Sequence, residues 1–392
     1  MSGERRTRLF LNLGHTLDHL FMLIFPTVVL AMSTELRRPY AELLPLSLGG
    51  FIAFGAFSIP SGWLADRWSR FGMMVVFFFG IGTASILTGL ARSPLEIAAG
   101  LTLIGAFAAI YHPVGTAMLV ANTPRVGRTL GVNGVYGNMG LAFSALIAGA
   151  MADTIGWRWA FIVPGVISVA LGAAFATLRP RVGAVSAPTR PAPARLPRAV
   201  LARVFALLTI AVVCNGIIFN ATTVSMPKVF DERLVALTQS TFGIGALVCG
   251  VYMIAAMAQL IVGRLIDRRP VKGVFVTVMA LQAPLLFLAG TMQNAMMLAV
   301  AVAMMFFVFG QIPINDAMIA RYTADEWRAR AYAVRYVMSF SASALSVPLV
   351  AYIYRTTGDF GPLFTILSVL ALVAFAAALT FPREPRPAAA PS

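Results

Sequence analysis

Runs of about 20 apolar residues recur along almost the whole chain, and no other feature narrows its possible folds so far. Hydrocarbon offers no hydrogen-bond partners, so each spanning run must satisfy its own backbone, which only helices and closed barrels achieve. Barrel strands alternate polar and apolar residues, whereas these runs are continuous. The expectation is an all-α membrane protein. A mean hydropathy of +0.83 with 11% charged residues excludes a soluble globular domain.

Proline, glycine and charge divide the runs into spans near residues 9–32, 43–65, 72–91, 95–121, 130–152 and 157–178. Six more follow near 201–226, 238–263, 272–291, 294–320, 329–353 and 360–381. Residues 1–178 and 201–381 are thus expected to form two six-helix bundles, giving twelve transmembrane helices. The Pro/Arg-rich segment 179–200 between them reads as an extended linker, and 382–392 as a tail of similar composition.

The formal charge of +15 invites a nucleic-acid reading until the basic residues are placed. Of the 30 Lys and Arg residues, 23 fall on the side of the N-terminus and 7 on the other. This asymmetry follows the positive-inside rule, so both termini are expected in the cytoplasm of a multi-pass inner-membrane protein, with lipid as its partner and no nucleic acid. Arg5, Arg6 and Arg8 before an apolar run imitate a signal peptide, but His15, Asp18 and His19 interrupt its core, so an uncleaved first span is expected. Cys214 and Cys249 lie inside apolar runs and are assigned no chemistry; no cofactor or metal site is expected, and the chain reads as a monomer.

Within the first span, Asn12, His15, Asp18, His19, Met22 and Pro26 share roughly one third of the helix circumference. An ionisable group at membrane depth costs about 2.5–3.5 kcal/mol on insertion scales, so this polar face is expected to meet a cavity or a partner. Asp18 stands near the middle of the span and is the primary candidate for carrying a proton. The three histidines of the chain, His15, His19 and His112, titrate nearest physiological pH and are the accompanying candidates. A fixed Asp18–His15 pair at helical spacing, serving packing alone, is the competing reading. His112 beside Pro113 has its own, hydrogen bonding to a carbonyl that the proline frees.

The halves repeat. Pro26 and Pro227, Gly62 and Gly263, Asp66 and Asp267, and Arg67 and Arg268 are each 201 residues apart. Parallel six-helix repeats with a site between them are a secondary-transporter architecture.

At this point the residues resemble a known family. Gly62-Trp-Leu-Ala-Asp66-Arg67-Trp-Ser-Arg70 is similar to the loop signature of the major facilitator superfamily, with Ser69 at its second glycine. Gly263-Arg-Leu-Ile-Asp267-Arg268-Arg269 resembles its weaker copy, and Gly156-Trp-Arg-Trp-Ala-Phe161 the opening of span six in many members. Gly14-His15-x-x-Asp18 with Pro26, and Tyr111-His112-Pro113, look like the subgroup of fosmidomycin-resistance exporters. Span five follows the spacing of the antiporter motif without its proline, and Leu101 stands where many drug exporters carry arginine.

The resemblance implies the major facilitator fold, with spans one, four, seven and ten lining a central cavity. Asn12, Tyr111, Tyr136, Asn138, Asn215, Asn220, Gln311 and Asn315 are then the candidate substrate contacts, although asparagines in spans also bond helices together. Asp66 is expected to join spans two and eleven at the cytoplasmic face, with Gly62, Arg67, Arg70, Asp267 and Arg268 as the other gate residues. Asp316 reads as a structural partner of Arg321 or Arg335. The expected activity is proton-coupled efflux of a small organic compound by alternating access. Import by proton symport needs no different residue type and stays open. A membrane-embedded enzyme would need a nucleophile with its base, which the sequence does not offer.

Overall fold

In a computed structural model of the chain, residues 3–121, 123, 126–178, 198–322 and 325–382 are described. Linker residues 179–197 and the tail from 383 lie outside them. The first half folds as α1 (Gly3–Glu35), α2 (Tyr40–Leu43), a 3-10 turn (Leu44–Ser47), α3 (Leu48–Arg67), α4 (Arg70–Leu90), α5 (Pro94–Ala108), a π-helical turn (Tyr111–Gly115), α6 (Thr116–Val120), α7 (Val126–Thr154) and α8 (Trp159–Ala176). The second gives α9 (Arg198–Arg233), α10 (Thr241–Arg268), α11 (Val271–Ala289), α12 (Asn294–Gly310), α13 (Ile312–Tyr322), α14 (Asp325–Thr357) and α15 (Gly361–Thr380). Eleven of the described helical segments are long and apolar enough to cross a membrane, and α14, at 33 residues, is a further helix of spanning length. The all-helical expectation holds, and no strand occurs among the described residues.

Local chemistry sets the breaks between spans. Ser69, Ser93 and Ser240 cap α4, α5 and α10 by accepting the amides of Gly72, Glu96 and Gly243. Gly156 (φ 101°) and Gly358 (φ 69°) make left-handed turns after α7 and α14. The fourth span departs from the continuous helix expected over 95–121. Pro113 has no N–H for the carbonyl of Ala109, and the ladder reopens as the π turn that carries Tyr111 and His112.

Small residues let the helices approach closely. A Cβ at Gly105 would strike the carbonyl of Gly50, joining α5 to α3, and one at Gly140 would strike that of Thr16, joining α7 to α1. The opposite face of α7 meets α10, where Gly149 lies against the Thr241 carbonyl and Gly245 against that of Ala145. One helix of the first half is therefore shared between α1 and the second half.

At the end of the bundle away from the N-terminus, Tyr40 packs edge-on against Tyr354 and Phe360, with centroids 5.4 and 6.4 Å away. Asp153 accepts the Phe242 amide at 2.7 Å across the α7–α10 seam. Below these contacts Arg233, 4% exposed, donates to the Ala289 carbonyl (2.6 Å) and to Asp359 (2.8 Å). Partial burial opposes ionisation of Asp359, but the hydrogen bonds from Arg233 and from the Gly361 and Phe360 amides outweigh it and hold its carboxyl below the usual carboxylate range. The stabilisation from this pair is complete above the ordinary carboxylate pKa and is lost as pH falls through the lowered one.

The α1–α7 seam predicts that Gly140→Ala destabilises by about 1–3 kcal/mol, because its Cβ meets backbone that cannot swing aside. Gly134→Ala, on the same helix with open space around it, should be neutral or stabilise by up to about 1 kcal/mol. Thermal unfolding followed by tryptophan fluorescence in detergent distinguishes the two, and equal shifts would contradict the seam.

Candidate functional site

The polar face of α1 packs against α7 and the π turn, and there three segments distant in sequence meet. His15 is 8% exposed, with its ring lying flat on Tyr111 at 4.8 Å between centroids. Its Nδ1 is 2.8 Å from the backbone oxygen of Asn133, which can only accept, so Nδ1 carries the proton and Nε2 presents a lone pair. Room for the ring comes from α7, since a Cβ at Gly137 would fall within 2.6–2.9 Å of three imidazole atoms.

Asn133 is the hub of the surrounding network. Its Nδ2 donates to Asn12 Oδ1 (3.0 Å) and to the Tyr111 hydroxyl (2.8 Å), and that hydroxyl donates to the Leu11 carbonyl (2.8 Å). Nearby, Thr16 donates to the Tyr136 carbonyl at 2.9 Å. These bonds fix the depth of α1 against α7 and the π turn. No local sequence pattern marks Asn133 as this hub, because its partners are 22 and 121 residues away.

The titratable groups lie beside this frame. His19 Nε2 is 3.0 Å from His15 Nε2, and the His112 ring stands edge-on to both, with centroids 5.3 and 5.5 Å away. Asp18 does not pair with His15 as its spacing on the helix allowed. It faces the π turn, where Oδ2 lies 3.3 Å from His112 Nε2. Asp18 is fully buried, and His112 is the polar partner that the described residues give its carboxylate. His112 keeps 17% of its side chain exposed and has Phe54 against its ring.

The other candidates divide. Asn138, on α7, accepts from Gln259 of α10 at 3.2 Å, a polar link between the halves. Asn315 donates to Gln311 at 2.6 Å, whereas Asn220 donates to the Gly216 carbonyl one turn back on its own helix. Asn215 is 1% exposed, and neither of its amide atoms has a hydrogen-bond partner among the described residues. Gln282 of α11, which the sequence reading passed over, is in the same condition.

Of the expected gate, Asp66 is exposed and chelated by Arg70 through Nη2 (2.7 Å) and Nε (3.1 Å), and Arg67 lies 4.3 Å over Trp63. A Cβ at Gly62 would touch Pro113 at 3.3 Å, so the start of the signature loop abuts the π turn. Asp267 and Arg268 end α10 in exposed positions. The side chains of α14 that would face Asp66, and those of Asp316, Arg321 and Arg335, lie outside the described residues.

A helical bundle of this kind, with ionisable groups buried at mid-span, is the architecture of a secondary transporter. Residues 13–255 and 234–392 match the Major Facilitator Superfamily, and the chain belongs to it. It is 30% identical over 121 residues to the puromycin resistance protein of Streptomyces alboniger, covering 30% of this chain and 24% of that protein. It is 28% identical over 204 residues to the cephamycin export protein of Amycolatopsis lactamdurans, covering 49% and 41%. The matched segments thus span well under half of those relatives. A bacterial homologue of the human lysosomal transporter Spinster, in an inward-facing and unoccupied conformation, superimposes with a TM-score of 0.77 over 97% of this chain and 98% of that one, at 14% identity. These relatives are named for antibiotic resistance and export, and the chain is a multi-pass helical member of the superfamily.

The network predicts that Asn133→Ala costs about 1–3 kcal/mol, since it leaves Asn12 Oδ1 without its donor and removes one bond of the Tyr111 hydroxyl. Tyr111→Phe should cost a similar amount, and the double variant less than the two together, because both break one network. Chemical unfolding of the three variants in detergent gives the cycle, and strict additivity would show that the two residues act separately.

Proposed function

We propose that the chain is a proton-coupled efflux transporter for a small organic compound, working by alternating access in the inner membrane with both termini in the cytoplasm. The observation that carries this reading is Asp18, a fully buried carboxylate in the middle of a spanning helix, 3.3 Å from His112 on an interrupted one. An ionisable group at that depth is expensive and is a functional site by default. Its neighbour sits on a π turn, where relaxing one ladder bond can shift His112 relative to α1. In this mechanism Asp18 takes a proton when the pair parts and releases it when the pair forms, so proton movement follows the rocking of the halves.

The efflux direction is supported by relatives named for puromycin resistance and cephamycin export, and by the stretches Gly14-His15-x-x-Asp18 and Tyr111-His112-Pro113 that resemble the fosmidomycin-resistance subgroup. Substrate would enter between spans one, four, seven and ten, with Asn12, Tyr111, Tyr136, Asn138, Asn215, Asn220, Gln311 and Asn315 as the groups that orient it. Asn215 is best placed by chemistry, since a buried amide without partners among the described residues has bonding capacity to offer. Asp66, Arg67 and Arg70 would form the cytoplasmic gate, with Asp66 exchanging Arg70 for a partner on α14 when that face closes.

Asp18→Asn should leave a folded protein that exchanges substrate down its gradient but no longer accumulates it against one. A transported proton contributes about 2.3 kcal/mol per 100 mV, and the amide removes that drive. Proteoliposomes with an imposed pH gradient, assayed against a panel of amphipathic compounds including puromycin, make the measurement. His112→Gln and the double variant complete a cycle that should be strongly non-additive. Undiminished uphill accumulation by Asp18→Asn would overturn the coupling role.

A further inference from the structure

His15, His19 and His112 offer three imidazole nitrogens that all lie within 4.8 Å of one another, although two of these residues are separated from the third by more than ninety positions in the chain. We propose that these three histidines, with Asp18, form a binding site for a divalent late first-row transition-metal ion, with zinc as the type case.

Four observations carry it. The donor set is three imidazoles and one carboxylate, which suits zinc, copper, nickel and iron and is poor for magnesium or calcium. Spacing agrees as well. Metal–nitrogen bonds of about 2.0–2.1 Å put tetrahedral ligands about 3.4 Å apart, and the His15–His19 and His112–Asp18 separations are 3.0 and 3.3 Å. The outer contact of His15 is also in place: Nδ1–H is held by the Asn133 carbonyl at 2.8 Å, which turns the Nε2 lone pair toward His19, as the supporting bond of a metal-ligating histidine does. Finally, Asp18 is 0% exposed and its Oδ2 stands 3.3 Å from His112 Nε2, so a buried carboxylate lies beside the histidines to offset a cation's charge.

Access and charge define the kind of site. His15 and Asp18 are buried, but His19 and His112 are only partly so, leaving one open flank. One carboxylate against a divalent ion leaves a net charge of +1 in a buried setting, which favours exchangeable occupancy over a permanent structural ion. The remaining separation among the three histidine nitrogens, at most 4.8 Å, closes by side-chain rotation around the π turn, so binding would draw His112 toward α1, with Asp18 joining through its contact with His112. The ion and the coupled protons would compete for the same lone pairs, but the metal site stands on donor geometry and not on proton coupling.

The test uses full-length protein with a non-histidine purification tag, in a Cys214→Ser, Cys249→Ser background, stripped with chelator and titrated with Co²⁺. Expected is one ion per chain with the intense visible absorption of a four-coordinate nitrogen and oxygen site, displaced by Zn²⁺. His19→Gln and His112→Gln should each weaken binding about tenfold or more. X-ray absorption of the zinc-loaded parent protein should show about three imidazole shells, and this arm needs no further variant to fold. Absence of stoichiometric binding, or affinity and spectrum unchanged when all three histidines are replaced by Gln, would overturn the site. The gradient assay on Asp18→Asn, run in chelator, reports on proton coupling separately, so failure of either reading is distinguishable from failure of the other.

Discussion

In hydrocarbon a polar group that lacks a partner within the protein has none at all, and this constraint shapes the molecule from backbone to site. Hydroxyls inside the spans turn back to carbonyls of their own or adjacent helices, as Thr88 does to Ala84, Ser85 to Phe161 and Ser168 to Phe78. The same demand concentrates side chains with several donors and acceptors where three helical segments meet, because one segment cannot satisfy them. Asn133, Tyr111 and Asn12 answer it around His15, while Asp18 beside them faces the His112 imidazole. The demand is not met everywhere, since Asn215, Gln282, Thr27 and Tyr40 hold buried polar atoms without a partner among the described residues.

Much of the fold was legible because hydropathy and length are local properties. Spans and caps follow from them, and the helices simply run on where charge had seemed to end them. α9 was expected to stop near 226 but continues to Arg233, because Lys228 pairs with Asp231 and Glu232, and Arg233 is held by a carbonyl and Asp359. The site was legible only in its parts. Sequence offered His15, one helical turn away, as the partner of Asp18, but the choice of His112 over His15 depends on how α1 is rotated against α7. That rotation is set by Gly137 and Gly140, whose role becomes visible only beside the His15 ring and the Thr16 carbonyl. Nor could a metal site be read from histidines this far apart, since no local spacing relates them.

The two halves repeat in sequence but not in chemistry. The offset of 201 places Gly216, Phe219 and Asn220 at the positions of His15, Asp18 and His19. In the second half a glycine, a phenylalanine and an amide thus replace every titratable group of the polar face. Asn215, Gln311 and Asn315 retain polarity there without charge, and a membrane tolerates an amide far better than a carboxylate. At these positions the ionisable groups stand in the first half alone.

That asymmetry limits how the cluster can influence the rest of the molecule. His15, Asp18, His19 and His112 all belong to the first half, so an occupant bound among them alone does not bridge to the second. Its effect must pass through helices that touch both, and α7 is the best connected of these. One face carries Gly137 and Asn133 against His15, while another carries Ala145 and Gly149 against α10, with Asn138 bonded to Gln259 between them. Close-packed seams of backbone against backbone do not deform gradually, so α7 tends to move with one neighbour or the other as a unit. A change at His15 that alters its grip on Asn133 therefore acts on the helix that also forms the seam between the halves, about three turns along from the cluster.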